Sequence, residues 1–143
     1  MNHPLKKEPV TRTPVRIYFF DTDAAGVTHN VAYLRLIELA RSHFAEALGW
    51  PLREMLADNC PVVARTEIDY LKPARLGDEL EIKAELKGME KVRFYIAFEV
   101  TRPADDAVIC RAVQTMVTVD LQTGRPKPLR QDWRERWPHL VRS

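Results

Sequence analysis

VAYLRLIELARSHFAEAL, Val31 to Leu48, is the stretch that decides how this chain folds. It contains neither proline nor glycine and is long enough for about five turns of helix. Its polar residues Arg35, Glu38, Arg41, Ser42 and Glu46 lie mostly three or four apart, on one narrow stripe. The rest of the surface carries Tyr33, Leu34, Leu36, Ile37, Leu39, Ala40, Phe44 and Leu48. A helix so apolar around its circumference is expected to be enclosed by other structure. Asn30 is placed to cap its start, and Gly49 and Pro51 stop it. A short second helix is expected over 51–57.

On the N-terminal side, VRIYFFD (Val15–Asp21) reads as a strand, and the turn-rich TDAAGVTHN (Thr22–Asn30) leads into the helix. On the C-terminal side four strands are expected. Over 61–74, Val62, Ala64, Ile68 and Tyr70 share a face. Over 78–87, Leu80, Ile82, Ala84 and Leu86 alternate with Glu79, Glu81, Lys83 and Glu85, a clean period of two. Over 91–102, Val92, Phe94, Ile96, Phe98 and Val100 share a face, and over 107–121 Ile109, Val113, Val117, Val119 and Leu121 do the same. Gly77-Asp78, Gly88 and the 103–106 segment supply turns. Short connections favour an antiparallel sheet with one face buried. With one long apolar helix available, the economical packing wraps the sheet around it, an α+β architecture. Residues 1–13 are polar, basic and proline-containing and read as a flexible arm; a single domain is expected over 14–143, its tail carrying Trp133 and Trp137 in a possible short helix.

Twenty-two basic against 20 acidic residues give a net charge of +2 in a chain of 143. That balance argues against a general nucleic-acid binder. No apolar run approaches a membrane span or a signal-peptide core. Cys60 and Cys110 lack CxxC spacing and read as free thiols of a reducing compartment, so cytoplasm is the expected location.

The chemistry is expected in FFDTDAAGVTHNVAY, Phe19 to Tyr33. A helix start presents unpaired N–H groups and a partial positive charge. Aimed at a thioester carbonyl, those N–H groups polarise it and stabilise the oxyanion. Gly26 lets the backbone come close to a ligand. A carboxylate a few residues upstream can attack the carbonyl or deprotonate water.

This segment resembles the signature of the 4-hydroxybenzoyl-CoA thioesterase family, within the acyl-CoA thioesterases of the hotdog fold. The pattern is an aromatic strand, D-x-D-x-x-G, then Asn or His and a Tyr entering the long helix; here it reads Asp21-Thr22-Asp23-Ala24-Ala25-Gly26 with Asn30 and Tyr33 following. DYLKPARLGDELEI, from Asp69 to Ile82, resembles the family's second and third strands. The resemblance implies a five-stranded antiparallel sheet around a central helix, hydrolysis of an acyl-CoA to free acid and CoA, and no metal or redox cofactor. It implies Asp23 as the catalytic carboxylate and the Asn30–Val31 backbone as the oxyanion contact. Homodimers with sites between subunits, paired into tetramers, are also implied. Lys91 matches one residue of the family's phosphate-binding basic cluster, and Arg93 neighbours it. Gly26, His29, Tyr33 and Glu38 are expected to contact substrate along with these two.

Other readings stand beside this one. Asp21 is expected to order the loop. Asp21, Asp23 and His29 fall short of the donors a divalent metal site needs. His29 keeps open an acyl-thioester dehydratase or hydratase, and a non-catalytic acyl-CoA-binding module is the third possibility.

Overall fold

The alternation read over 78–121 produces three consecutive antiparallel strands, and these form the centre of the sheet. The computed structural model describes residues 6–57 and 59–142. Its strands are β1 (Val10–Arg16), β2 (Asn59–Tyr70), β3 (Glu79–Met89), β4 (Arg93–Arg102) and β5 (Ala107–Asp120), with helices α1 (Asn30–Ala47) and α2 (Gln131–Arg136). The sheet order is β1-β3-β4-β5-β2, with every neighbouring pair antiparallel. The two strands flanking the helix in sequence therefore lie at opposite edges of the sheet.

α1 buries Tyr33, Leu36, Ile37, Ala40, Phe44 and Ala45 against the apolar faces of β3 and β4, where Ile82, Leu86, Ile96 and Phe98 are fully buried. Its end is a Schellman motif: Trp50 N–H donates to Ala45 O at 2.8 Å and Gly49 N–H to Glu46 O at 3.0 Å. Gly49 takes φ 90°, the left-handed value this motif requires. The tail closes the same end. Trp133 packs edge-on against Phe44, Trp50 and Phe94, and its indole N–H donates to Leu48 O at 3.2 Å.

Several boundaries differ from the sequence reading. The first strand is Val10–Arg16, whereas Phe19–Asp21 forms a single 3-10 turn. β1 turns Thr11 and Thr13 inward, both buried; polar residues on the inner face hide the period of two. Pro14 is tolerated because β1 is an edge strand. The arm expected over 1–13 is accordingly shorter. Residues 10–13 are in the sheet, and the Lys6 and Lys7 carbonyls accept hydrogen bonds from Arg136 and Trp137; residues 1–5 lie outside the described residues. The expected second helix is only a 3-10 turn at Leu52–Glu54.

In β2 a bulge between Val63 and Arg65 shifts the phase. Val63, Thr66, Ile68 and Tyr70 pair with Met116, Gln114, Ala112 and Cys110 and so share their inward face. The even-numbered set read from the sequence, Val62 and Ala64 with Ile68 and Tyr70, is therefore split between the two faces. Nor is α1 fully enclosed within one chain: Val31 is 74% exposed, and Leu34 and Leu39 are also exposed.

Candidate active site

The loop from Thr22 to His29 is built by short-range hydrogen bonds. Asp23 N–H donates to Val27 O at 2.9 Å and Gly26 N–H to Asp23 O at 3.0 Å. Gly26 sits at φ 75°, with nothing within 4 Å of where a Cβ would lie. Its role is thus the left-handed turn itself, with no protein group crowding it. The loop is pinned to the stretch after β2: Thr28 N–H and hydroxyl both donate to Ala74 O at 2.9 Å, and Leu76 N–H donates to Gly26 O at 3.1 Å.

The two aspartates of the motif are used differently. Asp21 is fully buried. One of its oxygens accepts from Tyr18 N–H at 2.9 Å and the other from the Arg35 guanidinium at 2.5 Å. Arg35 in turn lies 5.1 Å over the ring of Phe20. Asp21 is therefore a structural anchor that joins the 3-10 turn to the second turn of α1. Asp23 is exposed. Its Oδ1 accepts from Ala25 N–H at 2.9 Å and from Val27 N–H at 3.3 Å. Among the described residues Oδ2 has no protein partner, so the backbone positions one oxygen and leaves the other free, in a residue that lines the adjacent groove.

That groove, about 580 Å³, is bordered by Phe20, Asp23, His29, Asn30 and Val31. His29, and not Asn30, is the capping residue of α1; it is extended and makes no side-chain cap. Asn30 is the first helical residue, so the N–H groups of Asn30 and Val31 precede any possible partner within the helix. Neither donates to another acceptor among the described residues. A carboxylate oxygen, an imidazole and two unpaired N–H groups at a helix start thus border one groove. Such donors suit a developing oxyanion, and the carboxylate suits a base or nucleophile.

The remaining expected residues separate. Tyr33 is buried; its phenol accepts from Ala74 N–H at 3.1 Å, and burial raises its pKa above the ordinary tyrosine value. It borders a second depression of about 260 Å³ on the other side of Asn30, together with Tyr70 and Lys72. Glu38 lies two turns along α1 from Val31 and pairs with Arg41. Lys91 and Arg93 stand at the far end of β4. Arg102, which ends that strand, donates to Pro73 O beside the Thr28–Ala74 contact. Nine residue steps, ~30 Å, therefore separate Arg93 from the site end of β4, and one chain does not bring the two together. Tyr70 and Lys72 did not stand out as site residues in the sequence. Tyr70 ends β2 and Lys72 follows it; tertiary packing brings them here, and the alternation that includes Tyr70 marks a strand face and not a site. Among the described residues no group of three or more His, Cys, Asp or Glu side chains is arranged to hold a metal ion, and no described helix is long and apolar enough to cross a membrane.

Comparison with known proteins gives the family and the fold. The acyl-CoA thioester hydrolase YbgC of Escherichia coli is 30% identical over 119 residues, covering 82% of this chain and 88% of that protein. The 1,4-dihydroxy-2-naphthoyl-CoA hydrolase of Synechococcus elongatus is 30% identical over 121 residues, covering 82% and 89%. The crystal structure of Slr0204, a 1,4-dihydroxy-2-naphthoyl-CoA thioesterase from Synechocystis, superimposes with a TM-score of 0.82 over 92% of this chain and 97% of that one; at 22% identity it speaks to the fold, which is the hotdog fold. The sequence pattern of the thioesterase-like superfamily matches residues 18–137, and the chain belongs to that superfamily.

Proposed function

We propose that this chain hydrolyses acyl-CoA thioesters in the groove at the start of α1. The observation that carries the reading is the convergence of the free Asp23 Oδ2 and the unpaired Asn30 and Val31 N–H groups on one groove. The thioester carbonyl oxygen sits on the two N–H groups. Asp23 either deprotonates a water that adds to the carbonyl carbon or adds itself and is released by water. In both cases the C–S bond breaks and CoA leaves as the thiol. Gly26 shapes the loop, and His29 and Tyr33 border the acyl and pantetheine path. The exposed carboxylate, the buried Asp21 and the donors at the helix start favour hydrolysis over a dehydratase, which needs a histidine held by a carboxylate partner.

The working unit in this reading is a homodimer, paired into a tetramer. Phe20, 72% exposed, and Val31 edge the groove with apolar surface that a second copy would cover, and the neighbouring Phe19 is 80% exposed. A second copy also offers a way for Lys91 and Arg93 to reach the phosphates of CoA, since their own chain holds them far from the groove. Glu38, half exposed and paired with Arg41, is a substrate contact in this reading. Buried free thiols at Cys60 and Cys110 suit a cytoplasmic enzyme.

Thiol release from a panel of acyl-CoA esters tests the activity. Turnover of at least one ester, lost in Asp23→Asn, is the expected result. Water addition to an enoyl-CoA without CoA release would move the assignment to a hydratase, and tight binding without turnover would make the chain a binding module. Sedimentation velocity tests the assembly, and a monomer that is fully active would refute the shared site.

A further inference from the structure

The groove is assembled from two halves, the loop that carries Asp23 and the helix start that carries the Asn30 and Val31 N–H groups. His29 lies between them. Its N–H donates to Asp21 O at 2.9 Å, its carbonyl accepts from Ala32 N–H at 3.0 Å, and its side chain makes no cap. The angle between loop and helix therefore turns on the backbone torsions of this one residue, and contacts from elsewhere in the fold must fix it.

The stretch after β2 is the common reference for both halves. On the loop side it forms a short antiparallel ladder. Val27 bridges Arg75, Leu76 N–H donates to Gly26 O, and the Thr28 N–H and hydroxyl donate to Ala74 O. Asp23 is held on the adjoining Ala25 and Val27 N–H groups. On the helix side, Ala74 N–H donates to Tyr33 Oη at 3.1 Å, and Tyr33 stands one turn into α1 from Asn30. Thr28, Tyr33 and Ala74 are all buried. The reference is braced from behind by Arg102, which donates to Pro73 O at 3.2 Å and to Asp78 Oδ2 at 2.9 Å; the same carboxylate oxygen accepts from Arg75 N–H at 2.9 Å. The Arg35–Asp21 pair ties the loop to α1 on the opposite side of the helix, but its guanidinium is half exposed. The buried tie is the one from Tyr33 to Ala74. Burial raises the pKa of this phenol while the Ala74 N–H and the Thr28 hydroxyl act against that shift, so it stays neutral at the pH of an assay.

We infer that Tyr33 is a positioning residue: its phenol oxygen, holding Ala74 N–H, fixes the helix start against the Asp23 loop, and Thr28 completes the link on the loop side. The inference rests on the hydrolysis reading, in which the carboxylate acts at the carbonyl carbon and the two N–H groups at its oxygen. Their separation then enters the barrier directly. A misplacement of about 1 Å costs about 10² in rate, so a helix start that shifts by half as much costs about tenfold. The phenol oxygen is engaged by Ala74 inside the protein, so the loss falls on kcat and leaves KM in place.

The test is steady-state thiol release from benzoyl-, butyryl- and palmitoyl-CoA, with kcat and KM taken on the best of the three, for wild type, Tyr33→Phe, Thr28→Val and the double variant. Tyr33→Phe keeps the ring against that of Tyr70, 5.6 Å away, and removes only the acceptor of Ala74 N–H. Its kcat is expected to fall about tenfold with KM within about twofold of wild type. Thr28→Val keeps its N–H bond to Ala74 O and is expected to lose about threefold in kcat. Both act through Ala74, so the double variant loses less than the product of the two. Trp133→Phe, which drops the bond to Leu48 O at the other end of α1, is the control: it lowers Tm and leaves kcat unchanged. A folded Tyr33→Phe that turns over at the wild-type rate overturns the inference. So does a raised KM at unchanged kcat, which would make Tyr33 a substrate contact, and so do losses that multiply in the double variant. An equal loss of kcat in Trp133→Phe overturns it as well, since the rate would then follow stability alone. If Tyr33→Phe fails to fold, Thr28→Val decides, and an unchanged kcat there overturns the inference. All these outcomes leave hydrolysis at Asp23 standing. Absence of thiol release from every ester in wild type overturns the hydrolysis reading and the positioning role together.

Discussion

Replacing Asp23 by asparagine separates chemistry from structure at this site, because the structure assigns the two carboxylate oxygens different work. Oδ1 holds the loop by accepting from the Ala25 and Val27 N–H groups, and the amide oxygen of asparagine accepts the same two bonds. The change weakens two charge-assisted bonds to neutral ones at an exposed position, for a stability loss of about 1 kcal/mol. In a domain of this size that is about 3 °C in Tm. Oδ2, the oxygen free to act on water or on the carbonyl, becomes an amide nitrogen that can do neither. Loss of a general base or nucleophile typically lowers the rate by about 10² to 10⁴, equivalent to about 2.7–5.5 kcal/mol of barrier. The kinetic effect therefore exceeds the stability effect severalfold in free energy. The assay is CoA release followed with a thiol reagent on the best ester of the panel, read beside a thermal melt. Asp21→Asn is the contrasting control. It removes the buried charge facing Arg35, whose side chain is half exposed, so the expected loss is about 1–2 kcal/mol of stability, with activity falling only as far as the loop loosens. An Asp23→Asn protein that melts near wild type and turns over at the wild-type rate would refute the catalytic role and leave Asp23 as a loop carboxylate.

Three further outcomes are expected. Gly26→Ala forces a Cβ into the left-handed region without a steric clash, so Tm should fall by the equivalent of about 1 kcal/mol and thiol release should drop with the distorted Asp23 turn. Trp133→Ala removes the ring that seals Phe44, Trp50 and Phe94 and the donor to Leu48 O; urea melts should show a loss of about 3–5 kcal/mol. Burial pushes the Cys110 thiol up to about 11, so at pH 8 it stays in the protonated, unreactive form; mass spectrometry after alkylation should find it unmodified in the folded chain and modified in denaturant.

The central part of the fold was legible because its residues repeat with the period of their element. Leu80, Ile82, Ala84 and Leu86 point inward from β3 as their alternation requires, and the unbroken run after Asn30 is the long helix. Legibility failed where the inner face is polar. Thr11 and Thr13 of β1 read as part of an arm, and the aromatic Phe19–Phe20 pair, apolar enough to suggest a strand, instead turns outward beside the groove. It failed again at the bulge in β2, where one extra residue exchanges the two faces without any change of composition.

For the site, Asp23, His29 and the Asn30–Val31 stretch of the motif border one groove because they are neighbours in sequence as well as in space, with Gly26 in the turn between them. The residues expected farther along the sequence are not gathered at that groove within one chain. Glu38 is turned away into its bond with Arg41, and Lys91 and Arg93 occupy the opposite end of a strand whose site end is Arg102. Sequence order carries no measure of such separations; strand register does. The exposed Phe19, Phe20 and Val31 are the counterpart of that distance. The uncovered Phe20 and Val31 at the groove, with Lys91 and Arg93 at the far end of β4, are the observations behind the proposed shared site. If the second half comes from another copy, Lys91→Ala should raise KM for an acyl-CoA while leaving turnover of an acyl-pantetheine, which has no nucleotide phosphates, as it was. An equal loss on both substrates would place Lys91 outside CoA recognition and return the phosphate role to residues at the groove itself, with Lys72 of the neighbouring depression first among them.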